Sequence, residues 1–195
     1  MASVQILAGD LSRVFTYTAK TIPGVGGNPQ PGMIFDDGSG SQWKYVLNGH
    51  SAAQTAGNFG AYDYNGAGLT LAVGPLAAVA GNTCVVFQPT TATLNLMAGV
   101  WMGAAPLSTT TQTGAGWVQT KGPNASCLVT VTAIAIGDSI KLANASFAGA
   151  EDAATGTTPA FQSYAIALAA SSAGGTALIR CQLVCGSLAG SGATF

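Results

Sequence analysis

The sequence predicts a mostly β protein, built as β-sandwich or β-barrel modules with long Gly- and Pro-rich loops and an extended N-terminal arm. Composition is the first reason. Much of the 48% hydrophobic content is Ala, and 27 glycines with abundant Ser and Thr suit short strands and turns better than long helices. The second is a ladder of short apolar runs, each closed by turn residues. The third is the near absence of helical pattern, since only 51–56 and 76–80 look capable of a helical turn. At 195 residues the chain suffices for one domain or two small ones, with no metal or disulfide needed for stability.

Taken along the chain, residues 1–41 read as an extended arm or loop region, 42–107 as a first β module and 108–195 as a second, with fusion into one domain as the alternative. Segment 21–41 is dense in Pro and Gly, which excludes a helix or the middle of a sheet and leaves an arm lying across a neighbour or a disordered connector. Strands are expected at 42–47, 69–73, 84–88, 93–97, 99–102, 117–120, 127–136, 139–142, 162–169 and 177–184. The clearest is 127–136, where small or polar residues partly alternate with β-branched ones before the turn at Gly137-Asp138. The Thr- and Gly-rich segment 108–116 reads as a seam between the modules.

Charge is the most unusual property of the chain. Only 7% of residues are charged, and 64–120 contains no Asp, Glu, Lys or Arg, whereas soluble domains carry roughly 25%. Mass scaling gives the folded 19.2 kDa chain a surface of roughly 8,000 Å², or about one charge per 650 Å². Such a surface is neutral or largely covered, which favours life in an assembly. Nucleic acid is not an expected partner, because the net charge is −1 and Arg13, Lys20, Lys44, Lys121, Lys141 and Arg180 are scattered. Nor is a membrane: the mean hydropathy is +0.40, but no apolar window approaches the roughly 20 continuous residues of a span. Residues 1–8 lack a basic stretch leading into an apolar run, so the protein is expected to be made and kept in a cytoplasm. There Cys84, Cys127, Cys181 and Cys185 are expected as free, buried thiols.

No enzyme, cofactor or metal site is expected. The lone His50 lies in turn-like sequence, and no Gly-x-Ser-x-Gly elbow presents a nucleophile. Gly137-Asp138-Ser139 lacks the downstream histidine of a lipase block. Gly24, Gly26 and Gly27 approach a dinucleotide fingerprint, but Pro29 replaces its third glycine and no Walker lysine exists. The pairs Asp36-Asp37 and Glu151-Asp152 sit in loop sequence without the spaced oxygen ligands of a calcium loop.

Aromatic residues are more informative. Trp43, Tyr45, Phe59, Tyr62 and Tyr64 cluster in a Gly- and Asn-rich stretch, forming a candidate interface anchor or sugar-stacking surface, with ordinary packing at a sheet rim as the plain alternative. A carbohydrate-binding module of a head fibre or receptor-binding structure, using Trp43, Tyr62 and Tyr64, is one functional reading.

A second reading comes from Ala98-Gly99-Val100-Trp101-Met102-Gly103 followed by Gly116-Trp117-Val118-Gln119-Thr120-Lys121-Gly122-Pro123-Asn124-Ala125. This sequence resembles a pattern in tailed-phage capsid decoration, or cement, proteins, where a Gly-Trp-Val-Gln strand and glycine turn precede a Val/Thr-rich strand and a Gly-Asp turn. The resemblance covers roughly the second half of the chain. It implies a nonenzymatic, mostly β virion protein on the capsid surface. Its partners would be the major capsid protein and further copies of itself, a trimer among the options. It also marks Gly116, Trp117, Val118, Gln119 and Gly122 as structural motif residues.

Overall fold

A computed structural model of the protein describes residues 15–18, 31–36, 38, 40–62, 85–89, 97–107, 112–130, 133–143, 146–151, 164–172 and 175–184. The fold is mostly β, with no helix among the described residues. The strands are β1 (Phe15–Thr18), β2 (Ile34–Asp36), β3 (Gln42–Asn48), β4 (Phe59–Tyr62), β5 (Val85–Phe87), β6 (Met97–Trp101), β7 (Gln112–Val129), β8 (Ser139–Leu142), β9 (Gly149–Glu151), β10 (Ala165–Ala167) and β11 (Ala177–Leu183). The strands expected at 42–47, 84–88, 139–142 and 177–184 correspond closely to β3, β5, β8 and β11. Segments 69–73 and 76–80 lie outside the described residues.

Several expected boundaries need correction. Residues 51–56 are an irregular loop with a single bridge, Gln54 to Ala105, because the side chains of Asn48, His50 and Gln54 take up the local backbone groups that a helical turn would use. The separate strands at 117–120 and 127–136 are one strand, β7, which runs from Gln112 through the supposed breakers Gly114, Gly116 and Pro123 and stops at Val129. Ile134 meets Ser171 in an isolated bridge, and Ile136 lies in a turn, 71% exposed. The seam at 108–116 is therefore strand from Gln112 onward. Of the run 162–169, the described part, 164–169, contributes β10. The break expected at Ala98, between strands 93–97 and 99–102, is absent from β6, which is continuous from Met97 to Trp101; 93–96 lie outside the described residues.

The 18 residues of β7 organise everything else. In its first half, Val118 and Gln119 are paired on both edges, with Lys44 and Trp43 of β3 and with Trp101 and Val100 of β6. Ala115 is likewise flanked by Leu47 of β3 and Phe15 of β1. From β6 the pairing passes to β4, then β5, and returns to β3 through the parallel pair Leu47 and Val85. In its second half, β7 pairs with β11, and the pairing continues through β10, β8 and β9 back to Val129 of β7. Two circuits of paired strands thus close on a shared strand. Closure hides backbone edges that would otherwise recruit stray strands.

The passage between circuits occurs at Gly122. Its φ is +95°, and a Cβ there would stand 2.8 Å from the Ser41 Cα, so backbone conformation and close approach both demand glycine. A register shift between Gln42 and Trp43 lies directly opposite, as expected where a bulge re-aims a strand.

Packing joins the circuits. On β4 and β6, Tyr62, Ala98 and Trp101 face Val46, Val86 and Val118 within the first circuit. The opposite face, with Phe59, Ala61 and Val100, packs on Val129, Ile140, Leu142, Ile179 and Leu183 of the second. A third cluster covers the other face of β3 and β7 and contains Trp43, Tyr45, Leu47, Val85, Ala115 and Trp117.

Candidate interaction surface

The predicted aromatic set is divided among these three clusters. Alternation along β3 puts Trp43 and Tyr45 on one face, where Trp43 stacks on Phe35 at 5.5 Å and Tyr45 meets the edge of Trp117 at 5.2 Å. Phe59 and Tyr62, three apart on β4, point to opposite faces and join different cores. Tyr62 lies beneath the Lys44 ammonium, 5.0 Å from the ring centroid. Trp43, Tyr45, Phe59 and Tyr62 are all buried, and Tyr64 lies outside the described residues. The described members of the set therefore share no common outward face on which a sugar ring would stack.

The motif residues are brought together, and their geometry is architectural. Val118 packs with Trp101 inside the first circuit, Trp117 packs on Tyr45, and Gly116 lies against the Trp101 ring and Ala105. The buried Gln119 carboxamide spans the bend at Gly122: Nε2 donates to the carbonyls of Lys121 at 3.0 Å and Pro123 at 2.8 Å, while Oε1 accepts from Asn124 Nδ2 at 2.8 Å. Asn124 Oδ1 in turn accepts from Ser126 N at 2.8 Å. A carboxamide has the two donors and two-sided acceptor that such a bent backbone requires.

Polar side chains elsewhere serve the same end. Asn48 Nδ2 donates to the carbonyls of Ala52 and Pro106, and Asn58 Nδ2 donates to Gln54 Oε1, which ties the 49–58 loop down. Nδ1 of His50 accepts from Ala52 N at 3.1 Å, and its ring meets Phe147 edge-on at 5.2 Å. Asp36 and Asp138 accept backbone N–H bonds from Gly38 and Ala135 within their own turns. No group of three His, Cys, Asp or Glu side chains suited to a metal occurs among the described residues.

The cysteines hold a feature that spacing did not reveal. Cys127 of β7 and Cys181 of β11 are both fully buried free thiols in the second core. Their side chains hydrogen-bond, and this contact with desolvation pushes the Cys127 thiol far up from its ordinary range. It stays protonated and behaves as an apolar filler. Cys84 and Cys185 lie outside the described residues.

The outer surface of the second circuit is different in kind. Of the seven large hydrophobic side chains that are exposed among the described residues, Ile136, Ile166, Leu168, Leu178 and Val184 belong to this half of the chain. Along β10 and β11 and one residue past each, Ile166, Leu168, Leu178 and Val184 alternate with Ala165, Ala167, Ile179, Cys181 and Leu183, which face the core. On β10 both alternating sets are apolar, so periodicity alone does not say which faces outward; on β11 Arg180 and Gln182 mark the outward set, which also carries Leu178.

No family model, curated protein or solved structure matches the chain. Among the described residues no helix is long and apolar enough to cross a membrane.

Proposed function

We propose that the protein is a structural virion component that binds the outer surface of a phage capsid and stabilises the shell. The observation that carries this reading is a charge-poor surface combined with outward apolar side chains. Only 7% of the chain is charged, and Leu178 on the well-paired strand β11 and Val184 just past its end stand 58% and 46% exposed. Isolated exposed apolar residues are ordinary, but a paired sheet that keeps aliphatic residues on its solvent face is suited to being covered. Neutral faces bury against a shell without stranding ions away from water.

The partner in this reading is the major capsid protein, with self-association, a trimer among the options, increasing the number of simultaneous contacts. The two closed circuits are read as small β-barrels sharing one strand, a compact body for repeated attachment to which β1 and β2 of the 1–41 region also belong, since they pair with β7 and β3 of the same chain. The protein would be made in the host cytoplasm and end on the virion surface. Quantitative mass spectrometry of purified particles tests the reading. Copy number comparable to the shell protein is expected; complete absence from the particle overturns it.

A further inference from the structure

We infer that the outer face of β10 and β11 is the contact surface, and that its partner is a protein surface offering an apolar strip beside a carboxylate. This rests on the virion reading and specifies which face of the molecule serves it.

The strand register assembles the face. Ile166 is paired with Gln182, and Ala167 with Cys181, so Leu168 lies across from Arg180, whose carbonyl accepts from Leu168 N at 2.8 Å. Leu178, Arg180 and, one residue past its end, Val184 follow the same outward alternation along β11. The next strand, β8, turns Ile140 and Leu142 into the core and so presents Lys141 on the outer side. The result is an aliphatic surface interrupted by Gln182 and by the exposed Arg180, with Lys141 at its border already engaged within the chain. Asp138, in the turn before β8, turns its carboxylate back onto Ala135 N at 2.6 Å. Arg180 is exposed and has no ion-pair partner among the described residues.

Charge decides between the occupants. A two-fold contact with a second copy would set Arg180 near Arg180 with no described carboxylate to separate them, and like charges brought together at an interface are costly. A phosphate-rich ligand would call for clustered bases, whereas the single open guanidinium of Arg180 amid aliphatic side chains suits a protein surface with a carboxylate. The backbone of this face is already paired: β11 has β10 on one edge and β7 on the other, and β10 has β11 and β8. Recognition therefore proceeds through side chains and not by strand addition.

The test uses particles assembled without the protein, from a deletion lysate, and full-length protein added back and pelleted with them. Wild type is expected to bind. Arg180→Glu is expected to weaken binding about tenfold or more, as is the Ile166→Ser/Leu168→Ser pair. Ile34→Ser, an exposed apolar change on β2, is expected to leave binding unchanged. Added salt should weaken wild type more than Arg180→Gln. Circular dichroism and urea midpoints establish that each variant is folded, and Arg180→Glu alone decides if the double variant is not. Wild-type binding that neither surface change weakens overturns this inference and leaves the virion reading standing. A change of oligomeric state in Arg180→Glu also overturns it, by showing a self-contact. Failure of wild type to bind removes both readings.

Discussion

The two circuits use the same strand in opposite ways. Around the first half of β7, β3 is covered on both faces: Val46 lies in one core, and Trp43, Tyr45 and Leu47 lie in another. Around the second half, β10 and β11 bury small and aliphatic side chains on one face and leave aliphatic ones in solvent on the other. Both regions are poor in charge, so composition does not separate them. The difference is whether a sheet has a second layer to pack on, and among the described residues the outer face of β10 and β11 stays largely exposed.

The largest expected effect attacks the junction between the regions. Phe59 is fully buried and belongs to the second core although it comes from a strand of the first circuit. Phe59→Ala should cost about 3–5 kcal/mol, and urea unfolding should remain a single transition at a lower midpoint. Two separate transitions would show that the circuits are independent.

Gly122→Ala comes next, at about 2–3 kcal/mol, because the positive φ and the Ser41 backbone each oppose a methyl group. A midpoint shift below about 0.5 kcal/mol would show that the bend relaxes freely. Gln119→Ala should cost about 1–3 kcal/mol by removing the acceptor of Asn124 Nδ2 and the donors to the Lys121 and Pro123 carbonyls.

A smaller effect depends on pH. The folded Cys127 thiol resists ionisation, while the unfolded one ionises at its ordinary value near 8.5. Its contribution is therefore fully present below about pH 8.5 and is lost as pH rises beyond it, by at most about 1.4 kcal/mol per pH unit. Urea midpoints from pH 7 to 10 should fall less steeply in Cys127→Ala; equal slopes would remove the thiol from the account. Smallest of all, Leu178→Ser should cost no more than about 1 kcal/mol, since its Cδ2 packs on Gly57 while most of the side chain is exposed. A large loss there would mean that the outer face of β11 is an internal support and not a free surface.

Much of the β architecture was legible residue by residue. In β3 and β8 the pattern of large apolar and polar residues between turn signals gave strand position to within a residue or two. The long strand was not legible, because Gly114, Gly116, Gly122 and Pro123 are local breakers whose preferences are overridden by pairing on both edges. The aromatic cluster was visible as a cluster in sequence, but its division among three cores was not. Proximity along the chain carries no information about which face of which strand a ring will occupy. The outer aliphatic face was hidden for a related reason, since Ile166 and Ala167 are both apolar and only packing assigns one to the interior.

By itself the sequence determined the mostly β class, the low charge and the places where the backbone must turn, since these follow from local conformational preference and from side-chain chemistry. The closure of two circuits on β7, the role of Gln119 at the bend, the thiol pair and the solvent-facing side of β10 and β11 were decided only by tertiary structure. Each depends on groups far apart in the chain. Cys127 and Cys181 meet because β7 and β11 pair, and Gly122 is required because Ser41 arrives beside it from the other end of the first circuit.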